Sequence, residues 1–360
     1  DRIKGPENSK YPDAGTRGIT GGGSAPGTDT VIDFIQIMST GNATDFGDLT
    51  VEGQMSGTAS SHTRGVIFAG VGSPAIVNTI DYITIASAGN GNDFGDLTGP
   101  TDFGQPTASK TRMVVGNGNV GSPRSAGNLD YIEFASKGNA ASFGDLSPAR
   151  NGGGHGFGND TRGVYGAGYI SPASVNTIDY ITFTSIGNAT DFGDLTVARS
   201  DGEGFSSSTR GVAGGGKINP DNSRTNVMDY VTIASTGNAT DFGNLLAARN
   251  RQAGIGSTTR GVFGGGYAPS VDNVIQYVTI ASTGDAQDFG DLTQARNVMG
   301  GGASNNLRLV FAGGQTPTKQ NTLDYITIAS TGNAADFGDL SVIKAGVGNG
   351  ACGDSHGGLS

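Results

Sequence analysis

The sequence predicts an all-β chain closed into a seven-bladed β-propeller with four strands per blade, and three observations carry that prediction. A unit of about 48 residues recurs seven times, with its arginine at Arg17, Arg64, Arg112, Arg162, Arg210, Arg260 and Arg308. No apolar helical period of i, i+3, i+4, i+7 persists anywhere, while β-branched and aromatic runs bounded by Gly, Asn and Asp recur throughout. A repeat running from end to end leaves no room for a second domain. A solenoid of stacked turns is the alternative architecture, but its repeats are shorter.

Each element of the unit has its own residue logic. The second strand is the arginine segment, as in Arg260-Gly261-Val262-Phe263, which ends in a glycine cluster. The third is Val227-Met228-Asp229-Tyr230-Val231-Thr232, apolar on both alternating faces and therefore a strand covered on both sides. A Gly237-Asn238 turn leads to the outer strand, Asp241-Phe242-Gly243-Asn244-Leu245. The first strand of the next blade is small and glycine-rich, as in Ala253-Gly254-Ile255-Gly256, which suits a crowded central axis. Because the chain starts at a second strand and finishes with a first-strand segment, its end is expected to complete the first blade and remove open sheet edges.

The expected boundaries are a lead-in at 1–14 and one propeller over 15–356, followed by a tail at 357–360. Blade 1 takes 15–49 plus 341–356, and blades 2 to 7 take 50–97, 98–146, 147–195, 196–245, 246–292 and 293–340.

The unit resembles the kelch repeat in its glycine doublets (Gly264-Gly265, Gly313-Gly314), its Asp-Tyr third strand and its aromatic anchor in the outer strand. The kelch tryptophan is replaced by Phe46, Phe94, Phe143, Phe192, Phe242, Phe289 and Phe337. That resemblance implies a fold and carries no activity. A second resemblance comes from the near-identical phrase at 233–245 and 328–340, Ile-Ala-Ser-Thr-Gly-Asn-Ala followed by the Asp-Phe-Gly segment. It is similar to repeats of uncharacterised virion structural proteins of marine tailed bacteriophages. This implies a virion setting on the extracellular surface, with host-surface glycan or protein and other virion proteins as partners.

Composition narrows the function. A net charge of −10 with 22 Lys+Arg argues against nucleic-acid binding, which needs a dense basic surface. One cysteine, Cys352, excludes an intramolecular disulfide, and no run of 18 apolar residues points to membrane insertion. His62, His155 and His356 occupy unlike repeat positions, so no shared metal spacing exists. The Gly-x-Gly strings lie in a helix-free repeat, where a dinucleotide reading fails. No catalytic residue, metal or cofactor is therefore expected, and the uniform Asp positions nominate no carboxylate pair for polysaccharide cleavage.

Three sets of residues remain as candidates. From the Asp-aromatic position (Asp33, Asp81, Asp130, Asp179, Asp229, Gln276, Asp324) to the outer-strand phenylalanine the distance is 13 residues in every copy. From the arginine to that position it varies from 16 to 19, so length freedom lies in the loop after the glycine cluster. These loops share one rim and carry Arg124, Tyr169, Lys217, Asn219, Asp221, Arg224, Tyr267, Gln315 and Lys319 as candidate ligand-binding residues. Variable loops on a rigid scaffold point to recognition, although idle loops would drift in the same way.

Arg150, Arg199, Arg249, Arg296 and Lys344 share the position seven residues after the phenylalanine, interrupted by Gly53 and Thr101. They are expected at the mouth of the central channel, solvated or facing an anionic or sugar ligand. The Asp pairs such as Asp45/Asp48 and Asp191/Asp194 are read as turn caps or as partners of the repeated arginines in preference to calcium ligands. The leading reading is a receptor-facing adhesion module, with a structural decoration of capsid or tail and a secreted bacterial lectin-like propeller as alternatives.

Overall fold

The computed structural model describes residues 17–353, apart from 25–28, 55–56, 69, 73–74, 117, 121–126, 152–153, 298–301 and 346–351. The described residues contain no helix and form seven antiparallel four-stranded sheets arranged as a propeller. Blade 5 is typical, with strands Glu203–Ser206, Arg210–Gly214, Val227–Thr232 and Thr240–Asn244 in that spatial order. The first sheet takes its fourth strand from the far end of the chain, where Cys352 pairs with Ile19 and Gly353 with Gly18. The inner strands touch one another in a closed cycle, from Gly57–Ser60 of blade 2 round to Cys352–Gly353 and back.

A blade has no core of its own. The buried apolar residues divide into seven clusters, each lying between two neighbouring blades. One cluster joins Val66, Phe68, Ile80 and Phe94 of blade 2 to Met113, Val115, Ile132 and Phe134 of blade 3. Another joins Val310, Leu323 and Phe337 of blade 7 to Ile35 and Ile37 of blade 1. This is why third strands bury both faces: each face packs on a different neighbour.

The outer strand carries the repeat's most constant device. In every blade the register slips by one residue, as where Ile32 faces Gly47 while Asp33 faces Asp45, leaving Phe46 as the inserted residue of a β-bulge. The bulge drives that phenylalanine inward to 2–3% exposure. There it meets the third-strand aromatic ring edge to face at 5.7–6.0 Å.

The following glycine lets two blades approach. Gly193 sits at φ 138°, and a Cβ there would lie 2.5 Å from the backbone of Gly237 in the next blade. The same contact recurs at all seven junctions, ending with Gly338 on Gly41. Gly187, at the tip of its own turn, has a similar φ of 158° and open space around it. Two alanine substitutions separate backbone strain from the close approach. Gly187→Ala is expected to lower unfolding free energy by about 1–3 kcal/mol, and Gly193→Ala by about a further 1–3 kcal/mol from forced separation of the blades. Denaturant midpoints check this, and equal losses would remove the close-approach argument.

Candidate functional site

The two ends of the disc differ in what they do. Strand ends at one side carry only short turns, between the first and second and between the third and outer strands. The other side carries the variable loops after the second strand and the linkers into the next blade, and it is the loop face that the sequence nominates for binding.

The turn face is a set of stitches. Each repeated arginine lies over its own blade's aromatic ring at 4.2–5.3 Å. Its Nη1 donates to a backbone carbonyl in the next blade: Arg17 to Ile85, Arg64 to Phe134, Arg112 to Phe183, Arg162 to Ile233, Arg210 to Ile280, Arg260 to Ile328 and Arg308 to Ile37. The pairing of these arginines with the Asp-Phe-Gly-Asp carboxylates is therefore corrected, because the stacked guanidinium reaches a carbonyl instead. The first Asp of that phrase caps its own turn, as Asp45 and Asp191 accept from the backbone N–H of Gly47 and Gly193 at 2.9 and 3.0 Å.

The five cations expected at a solvated channel mouth occupy a different place. Arg150, Arg199, Arg249, Arg296 and Lys344 are 0–1% exposed and lie beneath the loop face. Arg150 Nη1 meets Asp179 at 2.6 Å, Arg199 meets Asp229 at 2.8 Å, Arg296 meets Asp324 at 2.9 Å and Lys344 meets Asp33 at 3.1 Å. The carboxylates are the Asp-aromatic residues of the third strands. Each cation enters on the linker just before its blade's inner strand, so a long side chain can cross under the loop to reach them.

The exceptions follow the same chemistry. In blades 2 and 3, where Gly53 and Thr101 supply no cation, Asp81 and Asp130 each accept from the backbone N–H and hydroxyl of a threonine, Thr50 and Thr98. In blade 6, Gln276 replaces the aspartate and accepts from the N–H of Leu246 at 2.8 Å, while Arg249 turns to Asp272 at 3.3 Å. The third-strand acids of blades 2 to 5 and 7 and of blade 1 thus each have a charge-assisted partner, and the one cation without its acid finds another.

These pairs are expensive to maintain. Burial pushes the Asp179 carboxyl above its ordinary value even beside Arg150. It also pulls the Arg199, Arg249 and Arg296 guanidinium groups below theirs, against the opposing pull of Asp229, Asp272 and Asp324. At 0–1% exposure the five cations present no charge to solvent, and their partners are the third-strand acids or Asp272.

Above this layer the loops of blades 4 to 6 form one continuous surface. Tyr169-Ile170 pairs with Ala173-Ser174, and Lys217-Ile218 with Ser223-Arg224, as two small hairpins. Asn219 ties them together, its Nδ2 donating to Ser174 Oγ and Ser200 Oγ, both at 3.1 Å. Arg224 donates to Asn250 Oδ1 at 3.0 Å and lies 4.3 Å over the Tyr267 ring of blade 6. Asp221 is exposed, and bonds from Ser223 hold its carboxyl below the usual value. Elsewhere, Lys319 reaches Ser24 in blade 1 and Gln315 folds onto Pro317 of its own loop. Arg124 and His356, with the 1–14 lead-in and the 357–360 tail, lie outside the described residues.

Sequence reasoning missed a polar group near the axis. His155 and Glu203 begin the inner strands of blades 4 and 5 at equivalent positions, opposite Gly166 and Gly214. His155 is 1% exposed and packs on Gly202 of the next blade, where a Cβ would lie 2.4 Å from its Cε1. Burial, then the charge of Arg199, holds its imidazole well below 6.5. Glu203 is half-buried, and burial followed by the charge of Asp201 pushes its carboxyl up to about 8. The linkers just before the inner strands of blades 3, 5 and 6 hold Phe103, Asp201 and Arg251 at φ 52°, 54° and 57°. Unlike residues at one repeat position were the only signal available in the sequence.

The chain matches no known protein-family model and no curated protein.

Two outcomes are expected. Arg199→Met strands Asp229 and should cost about 3–5 kcal/mol in chemical denaturation, with most recovered in Arg199→Met/Asp229→Asn; an unchanged midpoint in the single variant would show that the pair is not structural. The axial pair sets a pH balance. The neutral form of His155 is favoured by folding, so its contribution is present above 6.5 and lost as pH falls. The protonated form of Glu203 is favoured, so its contribution is present below 4.5 and lost as pH rises toward about 8. Between pH 6.5 and 5 the two slopes, each up to about 1.4 kcal/mol per unit, oppose one another. Denaturation should find His155→Leu gaining stability on acidification relative to wild type, and Glu203→Gln losing it.

Proposed function

We propose that this chain is a non-enzymatic propeller of a virion. In this reading it is a tail-fibre or other receptor-facing adhesion module that holds a host-surface glycan or protein on the loop face of blades 4 to 6. One observation carries the reading. The repeated residues are occupied by structural work: arginines on carbonyls of the next blade, and within each blade bulged phenylalanines on aromatic rings and buried cations on buried acids. Residues that differ from blade to blade are at least partly exposed in the interlocked hairpins bearing Tyr169, Lys217, Asp221 and Arg224 and in the adjoining loop of Tyr267.

Those hairpins have the features a recognition surface needs. They are braced side by side by Asn219 and by the Arg224–Tyr267 stack, so little ordering entropy is lost on binding. They mix aromatic, cationic and anionic groups, which suits a polar ligand such as a glycan. The virion setting rests on the resemblance of the 233–245 and 328–340 phrases to bacteriophage structural repeats, and the kelch-like pattern contributes only a scaffold.

A glycan array or a cell-retention assay tests the reading. Replacement of Tyr169, Lys217, Arg224 and Tyr267 by alanine should weaken retention by at least about tenfold, the effect of losing roughly 1.4 kcal/mol, while leaving the far-ultraviolet spectrum unchanged. Retention equal to wild type would overturn the loop-face assignment.

A further inference from the structure

The turn face departs from its sevenfold pattern at one junction. The end of the third strand is Gln36, Thr84, Thr182, Thr232, Thr279 or Thr327 in six blades and Glu133 in blade 3. In the turn before the second strand, blades 2, 5, 6 and 7 place His62, Ser208, Thr258 and Asn306, whereas blades 3 and 4 place Lys110 and Asp160. All three unusual charges meet at the junction of blades 3 and 4, around the repeated Arg112.

They line a cleft of about 200 Å³. An open cleft of the same size occurs at the turn face of blade 6, beside Arg260, but Thr279 stands there in place of Glu133. The two clefts share only the arginine and the strand-end position in their lining, and the cluster of charges belongs to the 3/4 junction. Its two halves differ in rigidity. Arg112 is stacked 4.6 Å over Tyr131, bonded to the Phe183 carbonyl and held through Nε to Glu133 at 2.6 Å. Lys110 and Asp160 meet at 3.0 Å across the junction with side chains 45% and 31% exposed. A pair so exposed is weak and opens readily, unlike the fully buried pairs under the loop face.

We propose that this cleft binds a small zwitterion, a molecule carrying one carboxylate and one ammonium group, by exchanging the Lys110–Asp160 pair for two pairs to the ligand. The ligand's carboxylate takes Lys110, its ammonium takes Asp160, and Glu133, fixed by Arg112, adds a second acceptor for the ammonium. The volume sets the size. At about 30 Å³ per water, the cleft releases on the order of seven waters, which matches a free amino acid or one amino-hexuronic acid residue and excludes a longer chain from lying inside it. The site lies on the face opposite the variable loops, so it stands or falls independently of the adhesion reading.

Calorimetric titration of the whole chain with a free amino acid, with an amino-hexuronic acid and with neutral glucose tests the proposal and separates the two sources. Saturable binding of at least one zwitterion at about millimolar concentration is expected, at least about tenfold tighter than glucose, weakened by added salt. The same tenfold loss is expected in Lys110→Gln/Asp160→Asn, near-isosteric changes whose unaltered far-ultraviolet spectrum and denaturation midpoint confirm that the fold is kept. Glu133→Gln should weaken binding without abolishing it. No saturable heat from either zwitterion, or binding unaffected by the double substitution, would overturn the proposal.

Discussion

The architecture depends on the contact each blade makes with the next. A turn of one blade donates two backbone bonds to the outer strand of the blade before it, as Gly237 to Phe192 at 2.7 Å and Ala239 to Asp194 at 2.8 Å. Its asparagine then accepts from the same strand, Asp194 N–H to Asn238 Oδ1 at 3.1 Å. The series closes when Gly41 and Ala43 of blade 1 reach Phe337 and Asp339 of blade 7. Each bond is worth only about 0.5–1.5 kcal/mol net. Repetition around a ring makes them cooperative, because no blade can leave without exposing two apolar interfaces.

That constraint explains why the Ser-Thr-Gly-Asn-Ala and Asp-Phe-Gly-Asp phrases barely vary between copies. Gly193 must be glycine because another blade's backbone fills its Cβ position. Asn238 must offer an oxygen at fixed distance, and in blade 6 Asp285 does the same for Asn244 at 2.8 Å. Phe192 must be inserted by the bulge to reach Tyr180. Such residues look like a motif with chemistry of its own, yet their chemistry is spent within blades and on the junctions between them.

Under the loop face a second layer uses a more costly interaction. Buried ion pairs add little net stability when desolvation is counted, but losing one partner is severe. Where the cation is missing, in blades 2 and 3, the threonine cap that also serves Asp229 and Asp324 remains as the acid's partner, and a missing acid is matched by Gln276 with Leu246 opposite and Asp272 nearby. The layer fixes where each linker crosses and so gives the loops of blades 4 to 6 a rigid floor.

The period, the strand order within a blade and the count of seven were legible in the sequence alone, because a strand covered on both faces leaves an unmistakable apolar run and the copies align one another. The placing of charge was not legible. Arg199 and Arg210 are both arginines at constant repeat positions, and linear spacing cannot tell a guanidinium buried on Asp229 from one lying over Tyr230. Those partners lie in another strand, brought close only when the blade's sheet forms. The same holds for His155 and Glu203, and for Lys110 facing Asp160: each residue is ordinary in its own repeat, and its environment comes from the neighbour that the closed ring presses against it.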